Sequence, residues 1–315
     1  MKFHLPFRPA ADSAAASDPP GIFKLAVYAV EYALFRGMAA FFRHLPRPQA
    51  LATGRALGGL AEKVMVRQRK TAQDNLRQAF PERSDQQIRQ DVRAVFQHLG
   101  ISAVELLRVD LFRGQEDVER YFSFSGWEHV GEAYGLHRGV LVMTGHMGYW
   151  ESGGFLFPQF GFPLDVVARR VKNPWVDRFI TRLREAYGGQ VLDSRKGARK
   201  ILRSLAEGRG VAVLLDQHTA RKEAVPVTFF GRQAWTTPII AKIAMRQQIP
   251  ILPVYSWRTP DFRYEVRVEP PIILKNEPGE EAIRRNTELL TASIEQAVRH
   301  NPIQWFWVHR RWRSY

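Results

Sequence analysis

Apolar residues between positions 21 and 43 recur at spacings of three and four. Val27, Val30, Leu34, Met38 and Phe41 therefore fall on one continuous stripe of a helix. Lys24, Glu31, Arg36 and Arg43 lie off that stripe. The pattern fits a helix lying in a membrane interface or one packing on a soluble core. Charges at 24, 31 and 36 leave no run of about 18 uninterrupted apolar residues, so the expectation is an amphipathic membrane-associating helix over 21–43 rather than a span. Residues 1–20, ending in AAASDPP, have no period and read as a flexible tail.

Helical periods continue to about residue 110, including 67–80 and 84–99; Ser84, with Gln87 three positions on, opens the second as a capping box. From about residue 139 the texture changes to short apolar runs separated by helical stretches: GVLVM (139–143), LDVVA (164–168), QVLD (190–193), VAVLL (211–215), VPVTFF (225–230) and PILPVY (250–255). A late strand over 263–269 and a final helix near 279–299 complete an alternation that predicts an α/β sheet with an N-terminal helical layer.

Composition narrows the function. The 315 residues are 45% hydrophobic and 24% charged, enough to bury a sizeable core and unlike a disordered chain. With no cysteine, structural disulfides, thiolate nucleophiles and cysteine-ligated metals are excluded. No cationic start followed by an apolar core and a small-residue cleavage site opens the chain, so it is expected to stay on the cytoplasmic side. Phosphate-loop, H-E-x-x-H and G-x-S-x-G signatures are missing, which removes support for nucleotide hydrolysis, zincin and serine-hydrolase chemistry.

Lys and Arg number 46 against 31 Asp and Glu, so the surface attracts something acidic: nucleic acid, anionic lipid or an acidic protein. Residues 166–209 hold twelve of these basic residues against four acidic ones, with Trp175 and Phe179 available for base stacking. No RNP, helix-turn-helix or KH-like signature accompanies them.

The strongest chemical candidate is VLVMTGHMGYWESGG (140–154), where an apolar strand runs into a Gly-His-x-Gly turn at the sheet edge. On a straight helix positions five apart diverge by roughly 140°. His146 and Glu151 thus meet only if His146 sits on the turn and Glu151 in the first helical turns. Glu151 would then accept the Nδ1 proton and leave Nε2 free to take a proton from a substrate hydroxyl. The bland alternatives are a histidine that caps a helix and, at the end of VAVLL, an Asp216 that serves as a helix N-cap.

These residues resemble the His-x4-Asp/Glu motif of the glycerolipid/lysophospholipid acyltransferase superfamily. Four further blocks resemble its late lipid A acyltransferases, the lauroyl and myristoyl transferases: VVARRVKNPWVDRFITRLRE (166–185), LLDQH (214–218), VPVTFFGRQAWTTPIIAKIA (225–244) and NPIQWFWVHRRW (301–312). The resemblance implies a single mixed β-sheet flanked by helices, with an acyltransferase domain over 44–315. It also implies a fatty acyl chain moved from an acyl carrier protein thioester to a hydroxyl of a lipid A precursor, at the cytoplasmic face of the inner membrane, without metal or cofactor. In that scheme His146 is the general base and Glu151 its orienter. Arg169 binds the donor or the developing oxyanion, Asn173, Asp216 and Gln217 contact substrate, and Arg310 and Arg311 hold phosphate. A phosphatidylinositol-mannoside, other glycolipid or lysophospholipid acyltransferase is the alternative within the superfamily. A non-catalytic basic protein binding nucleic acid or membrane is the alternative outside it.

Overall fold

The computed structural model describes residues 21–194 and 198–313; the expected tail over 1–20 lies outside them. The helices are α1 (Ile22–His44), α2 (Arg47–Val64), α3 (Val66–Ala79), α4 (Asp85–Leu106), α5 (Gln115–Tyr121), α6 (Glu128–Gly135), α7 (Gly153–Gln159), α8 (Pro174–Arg184), α9 (Ala198–Ala206), α10 (Ile239–Gln247) and α11 (Glu280–His300). The strands are β1 (Phe122–Ser125), β2 (Val140–Thr144), β3 (Leu164–Ala168), β4 (Val191–Asp193), β5 (Gly210–Leu214), β6 (Val225–Phe229), β7 (Arg232–Thr236), β8 (Ile251–Arg258) and β9 (Tyr264–Val268).

Seven strands form one mixed sheet in the order β1-β9-β8-β2-β5-β3-β4. From β8 to β4 the neighbours run parallel, and β9 pairs antiparallel to β8. Leu141 and Met143 of β2 pack into one core, while Val140 and Val142 pack into the other. Because side chains alternate across a strand, a strand covered on both faces reads as the unbroken apolar run seen at 139–143. The mixed α/β sheet and its helical N-terminal layer match expectation, with two differences. Strand β1 carries no apolar run in the sequence, and the 225–230 segment leaves the main sheet to form a separate antiparallel hairpin, β6-β7.

In the N-terminal layer the Ser84 cap is complete: its side chain accepts from the Gln87 amide, and the Gln87 side chain accepts from the Ser84 amide at 2.8 Å. Helices α2 and α4 pack backbone to backbone, since a Cβ on Gly58 or Gly100 would overlap the facing main chain. Helix α1 turns its apolar stripe outward: Val30, Leu34, Met38 and Phe41 are 46–71% exposed. By length and composition this helix is long and apolar enough to cross a membrane. Three of its charges engage the rest of the protein, while Lys24 is exposed beside Tyr28 of the same helix. Glu31 accepts from Asn173, the Arg36 guanidinium lies 5.0 Å from the Phe179 ring, and Arg43 pairs with Asp110.

Candidate active site

Parallel pairing of β2 with β5 sets Thr144 beside Leu214, so the residues two places beyond each, His146 and Asp216, leave the sheet side by side. Their side chains meet there, with His146 Nδ1 2.7 Å from Asp216 Oδ1. The other carboxylate oxygen accepts the His146 backbone amide at 2.6 Å and the Trp305 indole N–H at 2.7 Å. Asp216 is only 1% exposed. Burial alone raises a carboxyl's pKa; here the facing histidine and these hydrogen bonds outweigh burial and hold Asp216 down at about 2. A carboxylate fixed in its charged form accepts the Nδ1 proton, so Nε2 carries the lone pair. The Gln217 side-chain amide lies 3.3 Å from Nε2.

The turn that aims His146 is constrained on both sides. Gly148 has φ +54°, and a Cβ there would collide with the Ser256 carbonyl. Its amide donates to the Gln304 carbonyl at 3.0 Å, and the Phe306 amide donates to the His146 carbonyl at 3.0 Å. The C-terminal strap over 301–312 is therefore bonded directly to the turn that carries His146. The Phe306 and Trp150 rings each lie 5.8 Å from the His146 ring.

Glu151 is not the histidine's partner. It lies on the short helical turn Trp150–Ser152, where Arg184 of α8 donates to its two oxygens at 2.9 and 2.6 Å. Bidentate guanidinium binding satisfies the carboxylate and draws it toward α8, while Asp216 occupies Nδ1. The predicted pairing of His146 with Glu151 is thereby corrected to His146 with Asp216. Asp216 is also not a helix N-cap, because the residues after it form a loop.

The other predicted residues divide. Arg169 follows β3 at the same sheet edge and is exposed, and Gln217 is exposed beside the histidine. Asn173 is 4% exposed and caps α8, accepting from the Trp175 and Val176 amides while donating to Tyr28 and Glu31. Those bonds use its amide, so substrate contact is corrected to a structural role joining α8 to α1. Arg311 is fully buried, and its guanidinium donates to the Gln217 carbonyl at 3.2 Å, the Trp235 carbonyl at 2.9 Å and the Thr236 hydroxyl at 2.5 Å. Its expected contact with phosphate is corrected to a brace that holds the Asp216–Gln217 loop against the hairpin. Burial lowers its pKa to about 10. Arg310 is exposed.

Sequence reasoning missed Trp305 as a donor to Asp216 and Arg184 as the partner of Glu151. Both stood inside quoted blocks, but only the fold shows what they touch. Beside the site lies a cavity of about 910 Å³, walled by α1, α2 and α4 and lined also by Phe306 and His309. Among the described residues no group of three or more His, Asp or Glu converges as a metal site.

The model of the bacterial lipid A biosynthesis acyltransferase family matches residues 22–314. The chain is 28% identical to the lipid A biosynthesis lauroyltransferase of Escherichia coli, over 86% of this chain and 87% of that one. It is 26% identical to a lipid A biosynthesis acyltransferase of Haemophilus influenzae, over 77% and 74% of the two chains. The E. coli palmitoleoyltransferase is 24% identical over 88% and 89%. Among solved structures, the 1-acyl-sn-glycerophosphate acyltransferase PlsC of Thermotoga maritima aligns at a TM-score of 0.36 and 15% identity, covering 77% of this chain and 96% of that one. The match of the family model across nearly the whole described chain establishes that this protein is an O-acyltransferase belonging to the bacterial lipid A biosynthesis acyltransferase family.

Proposed function

We propose that the protein moves a fatty acyl chain from an acyl carrier protein thioester to a hydroxyl of a lipid A precursor, with His146 as general base and Asp216 as its orienter. The observation that carries this reading is the His146–Asp216 contact of 2.7 Å, with Nε2 turned away from the carboxylate and an apolar cavity alongside. The acceptor's O–H proton passes to Nε2 as its oxygen attacks the thioester carbonyl. Asp216 stabilises the imidazolium so formed. When the tetrahedral intermediate collapses, the C–S bond breaks and the proton on Nε2 passes to the departing thiolate. The thioester is already activated, so the transfer needs no covalent enzyme intermediate. The Gln217 amide, beside Nε2, orients the acceptor hydroxyl. Arg169, on the same edge, stabilises the oxyanion or binds the donor.

The cavity's apolar walls, Phe35, Met38, Leu57, Leu99 and Val104 among them, suit a hydrocarbon chain. Helix α1 lies along the domain, its residues 28–43 contacting Asn173, Trp175, Phe179 and Asp110. This favours a helix lying in the plane of the cytoplasmic face of the inner membrane, its stripe toward lipid. The exposed arginines 178, 182 and 199 fit recruitment of an acidic carrier protein.

The test is acyl transfer by purified protein from acyl carrier protein to a lipid A precursor. His146→Ala is expected to lose about two to four orders of magnitude in turnover, the range for a general base. Normal turnover by that variant, folded, would refute the mechanism.

A further inference from the structure

Behind the turn that carries His146 lies a buried ion pair that the transfer step does not use. Arg258, the last residue of β8, donates from Nε to one oxygen of Glu105 at 2.9 Å and from a terminal nitrogen to the other. Its second terminal nitrogen donates to Nδ1 of His98 at 2.7 Å. Burial, then the Arg258 charge, hold the His98 ring well below its ordinary pKa, so it stays a neutral acceptor. The Tyr264 hydroxyl donates to Glu105 as well, and all four residues are buried. A buried pair adds little net stability over well-packed apolar side chains, but its forked bonds fix direction.

Two connections tie the pair to the turn. The buried Gln304 side chain accepts the Arg258 amide at 2.8 Å and donates to the Arg258 carbonyl at 2.6 Å, while the Gln304 main-chain carbonyl accepts the Gly148 amide. Tyr149, next to Gly148, donates to the Glu105 carbonyl at 3.3 Å. On the far side, His98, Ser102 and Glu105 share one face of α4 and all three bond to Arg258. Leu99, Ala103 and Leu106, on the adjoining face of that helix, line the apolar cavity. One helix therefore bounds the hydrocarbon cavity and anchors the turn that holds the base.

We propose that Gln304 and Arg258 are positioning residues of the transfer, clamping His146 at a fixed offset from the acyl cavity through α4. The inference rests on the acyl-transfer reading above and adds to it two residues that bond to the support of the base and not to its ring. Attack requires the acceptor oxygen, Nε2 and the thioester carbon to be aligned, and a misplacement of about 1 Å costs up to about a hundredfold in rate. The Gln304 side chain bonds only to main-chain groups of Arg258. Its loss should slacken the turn while leaving the His146–Asp216 pair and the cavity walls chemically unchanged.

The experiment uses the full chain in detergent micelles and compares wild type, Gln304→Met, His146→Ala and the double variant. Gln304→Met keeps the length of the side chain and removes both of its bonds to Arg258. Its kcat is expected to fall about 10- to 100-fold, with KM for acyl carrier protein thioester and for lipid A precursor changed less than about twofold. In the His146→Ala background the same change should cost less than about twofold, because residues that act through one group are not additive. Hydrogen exchange at the Gly148 amide needs no turnover and should quicken at least about tenfold, while the β2–β5 amides keep their protection. If Gln304→Met fails to fold, Gln304→Glu, which retains the acceptor and loses the donor, carries the same test with an expected loss of about tenfold in kcat. A folded Gln304 variant with kcat within about twofold of wild type overturns the proposal, as does unchanged exchange at Gly148 or a loss that multiplies with that of His146→Ala. Full rate in His146→Ala alone refutes the transfer reading instead, and the exchange result then decides by itself whether Gln304 holds the turn.

Discussion

Asp216 is 1% exposed and holds a charge inside the protein; Leu34 is 71% exposed and holds hydrocarbon outside it. The two regions depart from the usual sorting of side chains in opposite directions. At the sheet edge the buried carboxylate is satisfied by the His146 ring, its amide and the Trp305 indole, so ionisation there is stable and directional. On α1 the stripe stays largely open, and three of the charges that share the helix engage Asn173, Phe179 and Asp110. A buried charge with every bond made is machinery held in one geometry. An apolar face left open is a surface awaiting its own solvent.

The comparison breaks most severely where the buried side loses a brace. Arg311→Met removes donors from two carbonyls and the Thr236 hydroxyl, and is expected to cost about 2–4 kcal/mol in urea unfolding, as for buried polar groups left unpaired. Transfer activity should fall as well, because the Asp216–Gln217 loop loses its anchor.

Next in size is a pH effect. His309 is lowered to about 4, first by burial, against an ordinary value near 6.5. Above about pH 6.5 the stability from its neutral burial is fully present; as pH falls toward 4 the unfolded chain takes up a proton that the native state refuses, and stability is lost. Asp216, depressed to about 2, adds a second loss below an unfolded value near 3.9. Urea unfolding at pH 7 and 4.5 should show a drop that His309→Gln reduces by about 2 kcal/mol.

The smallest effect on stability belongs to the open face. Leu34→Gln is expected to change unfolding free energy by less than about 0.5 kcal/mol. Partitioning onto lipid vesicles should weaken about tenfold, the consequence of withdrawing one apolar side chain from lipid. Co-sedimentation checks this; equal partitioning with a destabilised fold would mean that the stripe packs against protein.

How much of this was legible follows from where each signal resides. Strand runs at 139–143 and 211–215, the capping box at Ser84 and the α1 stripe are local patterns, and the structure reproduces them within a residue or two. Strand β1, with the sequence FSFS, has too little apolar content to stand out; its pairing with β9 supplies what the pattern lacks. Glu151, five residues from His146, was the visible partner. Asp216 is 70 positions away and reaches the ring only through the β2–β5 register, which no spacing encodes. The direction in which α1 turns its stripe was equally hidden, because it depends on Asn173 and Asp110, far along the chain.

The most direct measurement places the two carboxylates side by side: single-turnover acyl transfer by Asp216→Asn and by Glu151→Gln, each verified as folded. The Asp216→Asn change keeps the size of the side chain but loses the charge that stabilises the imidazolium, so the rate is expected to fall by about two to four orders of magnitude. Glu151→Gln should loosen α8 and retain the rate within about tenfold, since only its bond to Arg184 is weakened. The opposite ranking, with Asp216→Asn near wild type and Glu151→Gln inactive, would contradict the assignment of Asp216 as the residue that orients His146.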